Sequence, residues 1–185
     1  MSLLDIHVLG SPVLRQETRP VETVTDELRR LVDDMFETMH AAKGIGLAAP
    51  QVGRVERLFV ADVDDHAIAV FNPEIVSPEG NAKAEEGCLS IPEVYGDVER
   101  ATHLVLRGLD RDGKPFELAA TDLMARCIQH ETDHLHGRLF LDYLGVFKRR
   151  SAMAKWEREK AKYPALRRTL ISARDLAEQH NEEAL

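Results

Sequence analysis

The chain has 185 residues and a formal net charge of −8 at pH 7, a length that suits one globular domain with a sizeable core. Hydrophobic residues make up 44% and charged residues 30% of the sequence, and this balance excludes wholesale disorder and fibrous architectures. The negative net charge argues against DNA or RNA as a bulk partner, since binding to phosphates requires clustered Lys and Arg.

The first residues and the apolar runs of the chain predict no membrane partner. No apolar run approaches the roughly 20 residues of a membrane-spanning helix. Residues 1–7 lack the patterns of a signal peptide and of a transit peptide. The two cysteines, Cys88 and Cys127, are too few for a disulfide framework. We therefore expect a cytosolic protein whose cysteines are buried or serve a metal-binding or catalytic role.

Charge is distributed unevenly along the sequence. Residues 1–147 carry a net charge of −12, residues 148–168 carry nine basic and two acidic residues, and residues 169–185 carry −3. We call residues 148–168 the basic arm and residues 169–185 the acidic tail. The sequence predicts an acidic body with a basic appendage.

The first predicted element is an amphipathic helix over residues 26–40. Apolar residues recur there at helical spacing, and Asp26 and Glu27, directly after Thr25, suit the first turn of a helix. Residues 43–53 follow, rich in glycine and almost free of charge. This composition predicts a buried loop with special backbone conformations.

Four strands are predicted at residues 58–63, 68–71, 103–109 and 116–119. The second of them is expected to end at Asn72-Pro73. The last two flank an Asp-Gly pair, a sequence typical of hairpin turns. Because a hairpin joins antiparallel neighbours, the sequence favours an antiparallel sheet.

Two further helices are predicted. One begins at Thr121 or Asp122, ends at Gly137 and has apolar residues on more than one face, as in a helix packed inside a domain. The other spans about residues 146–162 and carries much of the basic arm. Helical content is also expected from Ala165 onward.

The predicted second helix contains a metal-binding pattern, His-Glu-x-x-His. Its two imidazoles, His130 and His134, lie one turn apart and can converge on one ion, with Glu131 beside an open coordination position. The alternative is a buried helix whose histidines bind backbone carbonyls. A metzincin site is excluded because Phe140 stands where its third histidine belongs. A thermolysin-like site would need Glu157 or Glu159, which lie in the basic arm.

A third ligand is available from Cys88, which would give a three-ligand site with one position open for water. Cys127 lies three residues before His130 on the same helix face, so a closed Cys2His2 site is a second arrangement. We favour the open site, with Cys127 as part of the wall, because a closed site has no use for Glu131. Upstream, residues 44–51 allow close backbone approach at their glycines and then present the carboxamide of Gln51.

Three segments, residues 44–51 (GIGLAAPQ), 86–90 (EGCLS) and 129–135 (QHETDHL), resemble in order and spacing the signature motifs of the peptide deformylase family. The resemblance implies an α+β fold in which antiparallel β-sheets pack around a central helix carrying the HExxH motif. It implies removal of the formyl group from N-formylmethionyl nascent peptides. The implied ligands are Cys88, His130 and His134, holding one Fe²⁺, with Zn²⁺, Ni²⁺ or Co²⁺ as substitutes.

The resemblance also assigns roles to further residues. Glu131 is the general base and then acid, and the Gln51 amide and the Leu89 backbone N–H stabilise the oxyanion. Arg100 and Asp133 are structural. Residues that bind substrate are expected in the methionine pocket and along the peptide backbone: Gly44, Ile45, Gly46, Gly87, Leu123, Arg126 and Cys127. We expect the Arg126 stem to pack while its guanidinium points outward.

The peptide is expected to add as a strand between the Gly44–Gly46 backbone and the segment after Ile91, where Tyr95 occupies a variable position. We expect one domain, in which residues 1–147 form the catalytic metal-hydrolase part and residues 148–185 a basic helix and acidic tail. The basic arm either docks on the ribosome, as the resemblance implies, or is a solvated helix face anchored by Trp156. The alternative to a bacterial cytoplasmic deformylase is a non-catalytic, zinc-stabilised ribosome-associated module.

Overall fold

The part of the chain that the structure describes, residues 2–171 of this computed structural model, contains three α-helices and nine β-strands. The helices are α1 (Asp26–Ala41), α2 (Asp122–Leu135) and α3 (Val146–Glu159). The strands are β1 (Ile6–His7), β2 (Gly46–Ala48), β3 (Leu58–Val63), β4 (His66–Glu79), β5 (Ala82–Cys88), β6 (Ile91–Arg100), β7 (His103–Leu109), β8 (Pro115–Thr121) and β9 (Arg167–Arg168).

The strands form three antiparallel groups. The largest is a five-stranded sheet in the order β2-β3-β4-β7-β8, and β5-β6 and β1-β9 are two-stranded ribbons. Every pair in the large sheet is antiparallel. The predicted α+β class with antiparallel sheets is confirmed.

Helix α1 begins at the predicted residue and ends one residue after the predicted end. The Thr25 hydroxyl accepts a hydrogen bond from the Leu28 N–H at 3.3 Å, which caps the first turn. The apolar stripe of the helix packs on one face of the large sheet and forms a core with Leu47, Leu58 and Phe71. Helix α1 therefore supports the segment that leads into β2.

Strand β4 extends well past its predicted end. Its pairing with β7 shifts register between Phe71 and Glu74, so Asn72 and Pro73 lie in a β-bulge, where proline removes no ladder hydrogen bond. Asn72 adopts φ 50°, and its side chain exchanges two 2.8 Å hydrogen bonds with the Val21 backbone. The Asn-Pro pair marks a bulge here and not the end of a strand.

Strands β5 and β6 are the longest of the strands that have no counterpart among the predicted elements. Strand β5 has the sequence AKAEEGC, which lacks the alternation of apolar and polar residues on which a strand prediction depends. It pairs with β6 through a two-residue turn at Leu89 and Ser90. The expected loop at residues 43–53 is also wrong in part, because it contains β2 and a 3-10 turn at Ala49–Val52.

Helix α2 lies against the large sheet and contacts β2, β3, β7 and β8. Its apolar residues, with Ala125, Cys127 and Ile128 among them, fill a core shared with β3, β7 and β8. The Thr121 side chain makes no capping hydrogen bond. Gly137 has φ 66°, the left-handed conformation that ends helices. The helix thus holds His130, Glu131 and His134 in the interior.

Helix α3 ends at Glu159, before its predicted end, and a 3-10 turn at Lys160–Lys162 follows. Trp156 is buried in a core with Val8, Ile91 and Phe140. It therefore anchors the helix to the body, as expected if the basic arm is a solvated helix face. The helical content expected after Ala165 is wrong for Arg167–Arg168, which pair with β1 as a strand. Residues 172–185, most of the acidic tail, lie outside the described residues. No helix in the described part of the chain is long and apolar enough to cross a membrane.

Candidate active site

Three potential metal ligands meet where α2 passes the end of β5. Cys88, His130 and His134 each offer one donor atom, and these atoms lie within 4.8 Å of one another. The helix turn places both imidazoles on one face, with ring centroids 5.0 Å apart. Cys88 reaches them because the register of β5 on β6 shifts between Gly87 and Cys88. The three residues predicted as ligands are therefore brought together.

The donor set fits a single ion. Cys88 Sγ lies 3.3 Å from His134 Nε2, and donors of one tetrahedral zinc-like centre are about 3.3 to 3.6 Å apart, given metal–nitrogen and metal–sulfur bonds of about 2.1 and 2.3 Å. Burial lowers the pKa of His134, which keeps its imidazole neutral. Burying a thiol and two imidazoles next to one another is costly unless they share a partner, and a bound metal ion would be that partner.

A buried ionic network fixes the ligand helix to the β5-β6 ribbon. Glu86 receives two hydrogen bonds from Arg100, at 2.9 and 3.0 Å, and lies 3.0 Å from His130 Nδ1. Arg100 also binds Asp133 at 2.6 Å, and the Tyr143 hydroxyl donates to the second oxygen of Asp133. Arg100 and Asp133 therefore have the structural roles expected of them, because their contacts join α2 to the β5-β6 ribbon.

Glu86 orients the ligand that it contacts. Burial alone would raise the pKa of Glu86, but the hydrogen bonds from His130 and Arg100 outweigh burial and lower that pKa to about 2. The carboxylate therefore accepts the Nδ1 proton of His130 and leaves Nε2 free as the ligand atom. Sequence reasoning gave Glu86 no role, although it begins the EGCLS segment.

The Glu131 carboxyl group lies beside the ligands and is buried. A Cβ built on Gly46 would overlap Glu131 Oε1 and lie 2.8 Å from Cys127 Sγ, so only glycine fits between β2 and α2. Burial raises the pKa of Glu131 to about 7. Its Oε2 is buried and has no hydrogen-bond partner among residues 2–171. An acceptor is thus available to a molecule that enters the site.

Gln51 presents its amide N–H2 group to the same place. Its Oε1 accepts the Ala48 N–H at 2.8 Å, and its Nε2 donates to Ser90 Oγ at 3.2 Å and lies 3.6 Å from Cys88 Sγ. These partners fix the orientation of the carboxamide. Leu89 occupies the adjoining turn, and its Cδ1 would lie 2.6 Å from a Cβ on Gly44.

Cys127 belongs to the wall of the site and not to the ligand cluster. Its thiol contacts the Ile45 carbonyl at 3.5 Å, and burial, assisted by negative charge at Glu131, raises its pKa well above the usual range. A neutral thiol is a poor metal ligand. Glu157 and Glu159 pair with Lys160 and Lys162 on the outside of the molecule, which removes the thermolysin-like arrangement.

A cleft of about 510 Å³ opens from these groups to the surface. Ile45 and Leu123 are half exposed at its rim, and Tyr95 is the most exposed aromatic residue there. The cleft is lined by all seven residues expected to bind substrate: Gly44, Ile45, Gly46, Gly87, Leu123, Arg126 and Cys127.

The expected orientation of Arg126 is wrong. Its guanidinium turns inward, where it binds Glu86 at 2.8 Å, the Val98 carbonyl at 2.9 Å and the Ala82 carbonyl at 2.7 Å. These acceptors belong to the β5-β6 ribbon, whose strands the sequence did not reveal. Arg126 therefore ties α2 to that ribbon in addition to lining the cleft.

A family model described as polypeptide deformylase matches residues 3–150. The chain belongs to the polypeptide deformylase family. Members of this family are metal-dependent hydrolases that remove N-formyl groups from nascent peptides, and a non-catalytic module is not supported.

Relatives and solved structures agree over most of the chain. The peptide deformylases of Hydrogenovibrio crunogenus and Alkalilimnicola ehrlichii are 49% and 51% identical, covering 87% and 85% of this chain and 97% and 91% of their own. The Legionella pneumophila enzyme has a TM-score of 0.81 at 44% identity and covers 88% of this chain and 100% of its own. The Ehrlichia chaffeensis enzyme in complex with actinonin has a TM-score of 0.83 at 39% identity, with coverages of 89% and 99%.

Proposed function

We propose that this chain hydrolyses the formyl amide of N-formylmethionyl peptides through Glu131, with Gln51 and Leu89 as oxyanion donors, and releases formate. The observation that carries this proposal is the unpartnered Glu131 carboxyl oxygen buried next to three convergent ligand atoms. Cys88, His130 and His134 would hold one divalent cation with an open fourth position, and such a cation supplies a water whose pKa is lowered to about 7.

Glu131 moves the proton in this reaction. Its carboxylate accepts a proton from the attacking water and later delivers that proton to the departing amine nitrogen, acting first as base and then as acid. Burial favours the protonated form of this carboxyl group, which suits its second step, the delivery of the proton to the amine. Gly46 allows this carboxylate to lie against the edge of β2, where the peptide is expected to bind.

Gln51 and Leu89 stabilise the negative charge that develops on the formyl oxygen. The Gln51 amide is held by Ala48 and Ser90, so its donor group is fixed before substrate binds. Fixed donors of this kind contribute to catalysis because they require no reorganisation in the transition state. The backbone N–H of Leu89, in the turn next to Cys88, would be the second protein donor.

The methionine side chain fits the half-exposed apolar rim. Ile45 and Leu123 provide apolar contact, and the neutral thiol of Cys127 closes the wall between them and the metal ligands. Strand β2 is an edge strand of the large sheet. The backbone of Gly44–Gly46, which leads into β2, and the segment after Ile91 can therefore bind the peptide backbone as an added strand.

The resident ion is proposed to be Fe²⁺. A site of one thiolate and two imidazoles accepts Fe²⁺, Zn²⁺, Ni²⁺ and Co²⁺, so availability in the cell decides which is bound. Metal analysis of protein purified without oxygen from its own cells tests this assignment, and iron is the expected result. Zinc in stoichiometric amount would contradict it.

The basic arm is proposed to dock on the ribosome in the bacterial cytoplasm. Support comes from its nine cations. Several of these cations pair within the chain, as Lys148 does with Asp97 at 2.7 Å. Binding to RNA through the remaining ones would weaken steeply with salt. Ribosome cosedimentation at two salt concentrations tests this idea, and binding unchanged by salt would contradict it.

The division of the chain is proposed as residues 1–147 for the catalytic part and residues 148–185 for an appendage of the same domain. It is supported by the shared core of α3 with β6.

Formate release from a formyl-Met-Ala-Ser peptide tests the proposed function. Protein purified anaerobically should release formate rapidly with about one metal ion bound per chain. Metal content is measured on the same sample. Folded, correctly metallated protein that releases no formate would overturn the proposal.

A further inference from the structure

The C-terminal ribbon brings a cation to the active-site cleft from a distant part of the sequence. Strand β9 returns along the body and pairs with β1, so that Arg168 lies opposite Ile6. The segment after β1 is fixed beside the turn of the β5-β6 ribbon, because the Leu9 N–H donates to the Ser90 carbonyl at 2.8 Å. Arg168 lines the cleft as a result.

Arg168 is a half-buried side chain whose guanidinium pairs with no carboxylate in the described part of the chain. Among residues 2–171, no carboxylate lies within 4.0 Å of its guanidinium, whereas its neighbour Arg167 faces Asp5 at 3.9 Å. Arg168 also lies outside the residues 3–150 that the family model matches. A guanidinium at the edge of a substrate cleft is suited to bind a carboxylate of the substrate.

None of the acidic residues that line the cleft forms an ion pair with Arg168. The Glu86 carboxylate is already bound by Arg100, Arg126 and His130. Glu131 is the proposed base at the closed end. Two other carboxylates, Glu85 and Glu93, also line the cleft, and Glu93 lies close enough to Lys162 to affect its pKa.

The proposed binding mode directs the third residue of the peptide toward Arg168. With the formyl group at Glu131 and the methionine side chain at Leu123, the rest of the peptide would run along the cleft, which Arg168 lines together with Gly44 and Leu89. An extended chain advances about 3.3 Å per residue, so the third residue lies about 7 Å beyond methionine.

We propose that Arg168 is a specificity-determining residue that binds a carboxylate on the third residue of the formylated peptide. This inference rests on the proposed deformylase function. The carboxylate can be the side chain of an acidic residue or the free end of a formyl tripeptide. Both present the same planar group to the guanidinium.

Matched peptides separate these two sources. Formyl-Met-Ala-Glu-Ala amide is compared with formyl-Met-Ala-Gln-Ala amide, and formyl-Met-Ala-Ser with its C-terminal amide. The native chain should favour the carboxylate member of each pair about two- to fivefold in kcat/KM, as expected for a solvent-accessible ion pair. The preference should appear in KM, because the contact is the same in ground and transition states.

Variants at two adjacent positions test the assignment. In Arg168→Ala the Glu-to-Gln ratio should fall to about one, and in Arg168→Glu it should fall below one. Arg167→Ala is the matched control on the same strand and should keep the native ratio. High salt, at which the Debye length is about 3 Å, should reduce the native ratio as well.

The outcomes distinguish this inference from the function on which it rests. If the native chain cleaves all four peptides without preference, or if Arg168→Ala keeps the native ratio, the inference is wrong and the deformylase function stands. If no formylated peptide is cleaved by folded, metallated protein, the proposed function itself fails. Should Arg168→Ala melt at a lower temperature than the native chain, Arg168→Gln and Arg168→Lys decide the question, because only lysine should retain a preference.

Discussion

The buried half of the active site and its rim are held by different kinds of contact. Arg100, Glu86 and Asp133 are 5%, 7% and 5% exposed and bind one another and His130 directly. At the rim, Ile45 and Leu123 are 43% and 47% exposed and, being apolar, form no ion pair or side-chain hydrogen bond. The contrast indicates that ligand geometry is fixed by a buried ionic network, while substrate selection depends on a few exposed side chains.

Removing a ligand should have the largest effect. Cys88→Ala leaves two imidazoles, which bind a divalent ion much more weakly than three ligands do, so metal and formate release should both fall below detection. Metal content and turnover are measured together on protein that has been checked for folding by circular dichroism.

The control for this change is Cys127→Ser on the facing wall. It should keep about one metal ion per chain, because the Cys127 thiol lies outside the ligand cluster. Loss of the metal from Cys127→Ser would point instead to a closed Cys2His2 site.

Breaking the buried network should have the next largest effect, on stability and metal affinity. Arg100→Met leaves Glu86 and Asp133 without their main cation in a buried setting, which is expected to lower the free energy of unfolding by about 3–5 kcal/mol. Metal affinity should fall about 10- to 100-fold because His130 loses its orientation by Glu86. Chemical denaturation and competition with a chelator measure the two quantities.

Arg107→Met is the matched control for Arg100→Met. Arg107 pairs with Glu117 on an exposed face of the sheet. Its removal should leave unfolding and metal binding close to the native values. Equal losses in the two variants would show that burial of the network has no special effect.

Gln51→Leu should slow the reaction without removing the metal. The change deletes one of the donors proposed for the oxyanion, and a comparable loss typically costs about 10²- to 10³-fold in kcat. It also leaves the buried Ala48 N–H without its acceptor, so a lower melting temperature is expected too. Turnover is measured well below that temperature, and an unchanged kcat would remove Gln51 from the oxyanion site.

The smallest of these effects is expected at the rim. Leu123→Ala removes part of the apolar contact with the methionine side chain, and a loss of roughly 1 kcal/mol corresponds to about a fivefold rise in KM. The preference for formyl-Met over formyl-Ala peptides should shrink by the same factor. A large fall in kcat instead would place Leu123 in the catalytic part of the site.

Sequence reasoning predicted the elements whose residues follow a clear period. Helix α1 and strands β3 and β7 lie where the apolar patterns place them. It failed for β5, whose alanines and glutamates lack alternation, and at Asn72, where a bulge maintained by contacts with Val21 replaces a strand end. The bulge depends on a segment 51 residues away in sequence, whereas β5 is held by its neighbour β6 through a hairpin that its composition does not reveal.

The same distinction applies to the site. Cys88, His130 and His134 were predicted from local motifs and lie together. The roles of Glu86 and Arg126 were missed because they depend on the pairing of α2 with an unpredicted ribbon. Arg168 was counted only as one cation of the basic arm, since its place in the cleft depends on a strand pairing with residues near the start of the chain.

Glu131→Gln tests the central claim most directly, because it keeps the size of the side chain and removes only its ability to accept and deliver a proton. Formate release and metal content are measured on the same anaerobic preparation of the native chain and the variant. The account predicts that the variant keeps about one metal ion per chain and loses about 10²- to 10⁴-fold in kcat. Turnover within a few-fold of the native value would contradict the role of Glu131 in proton transfer.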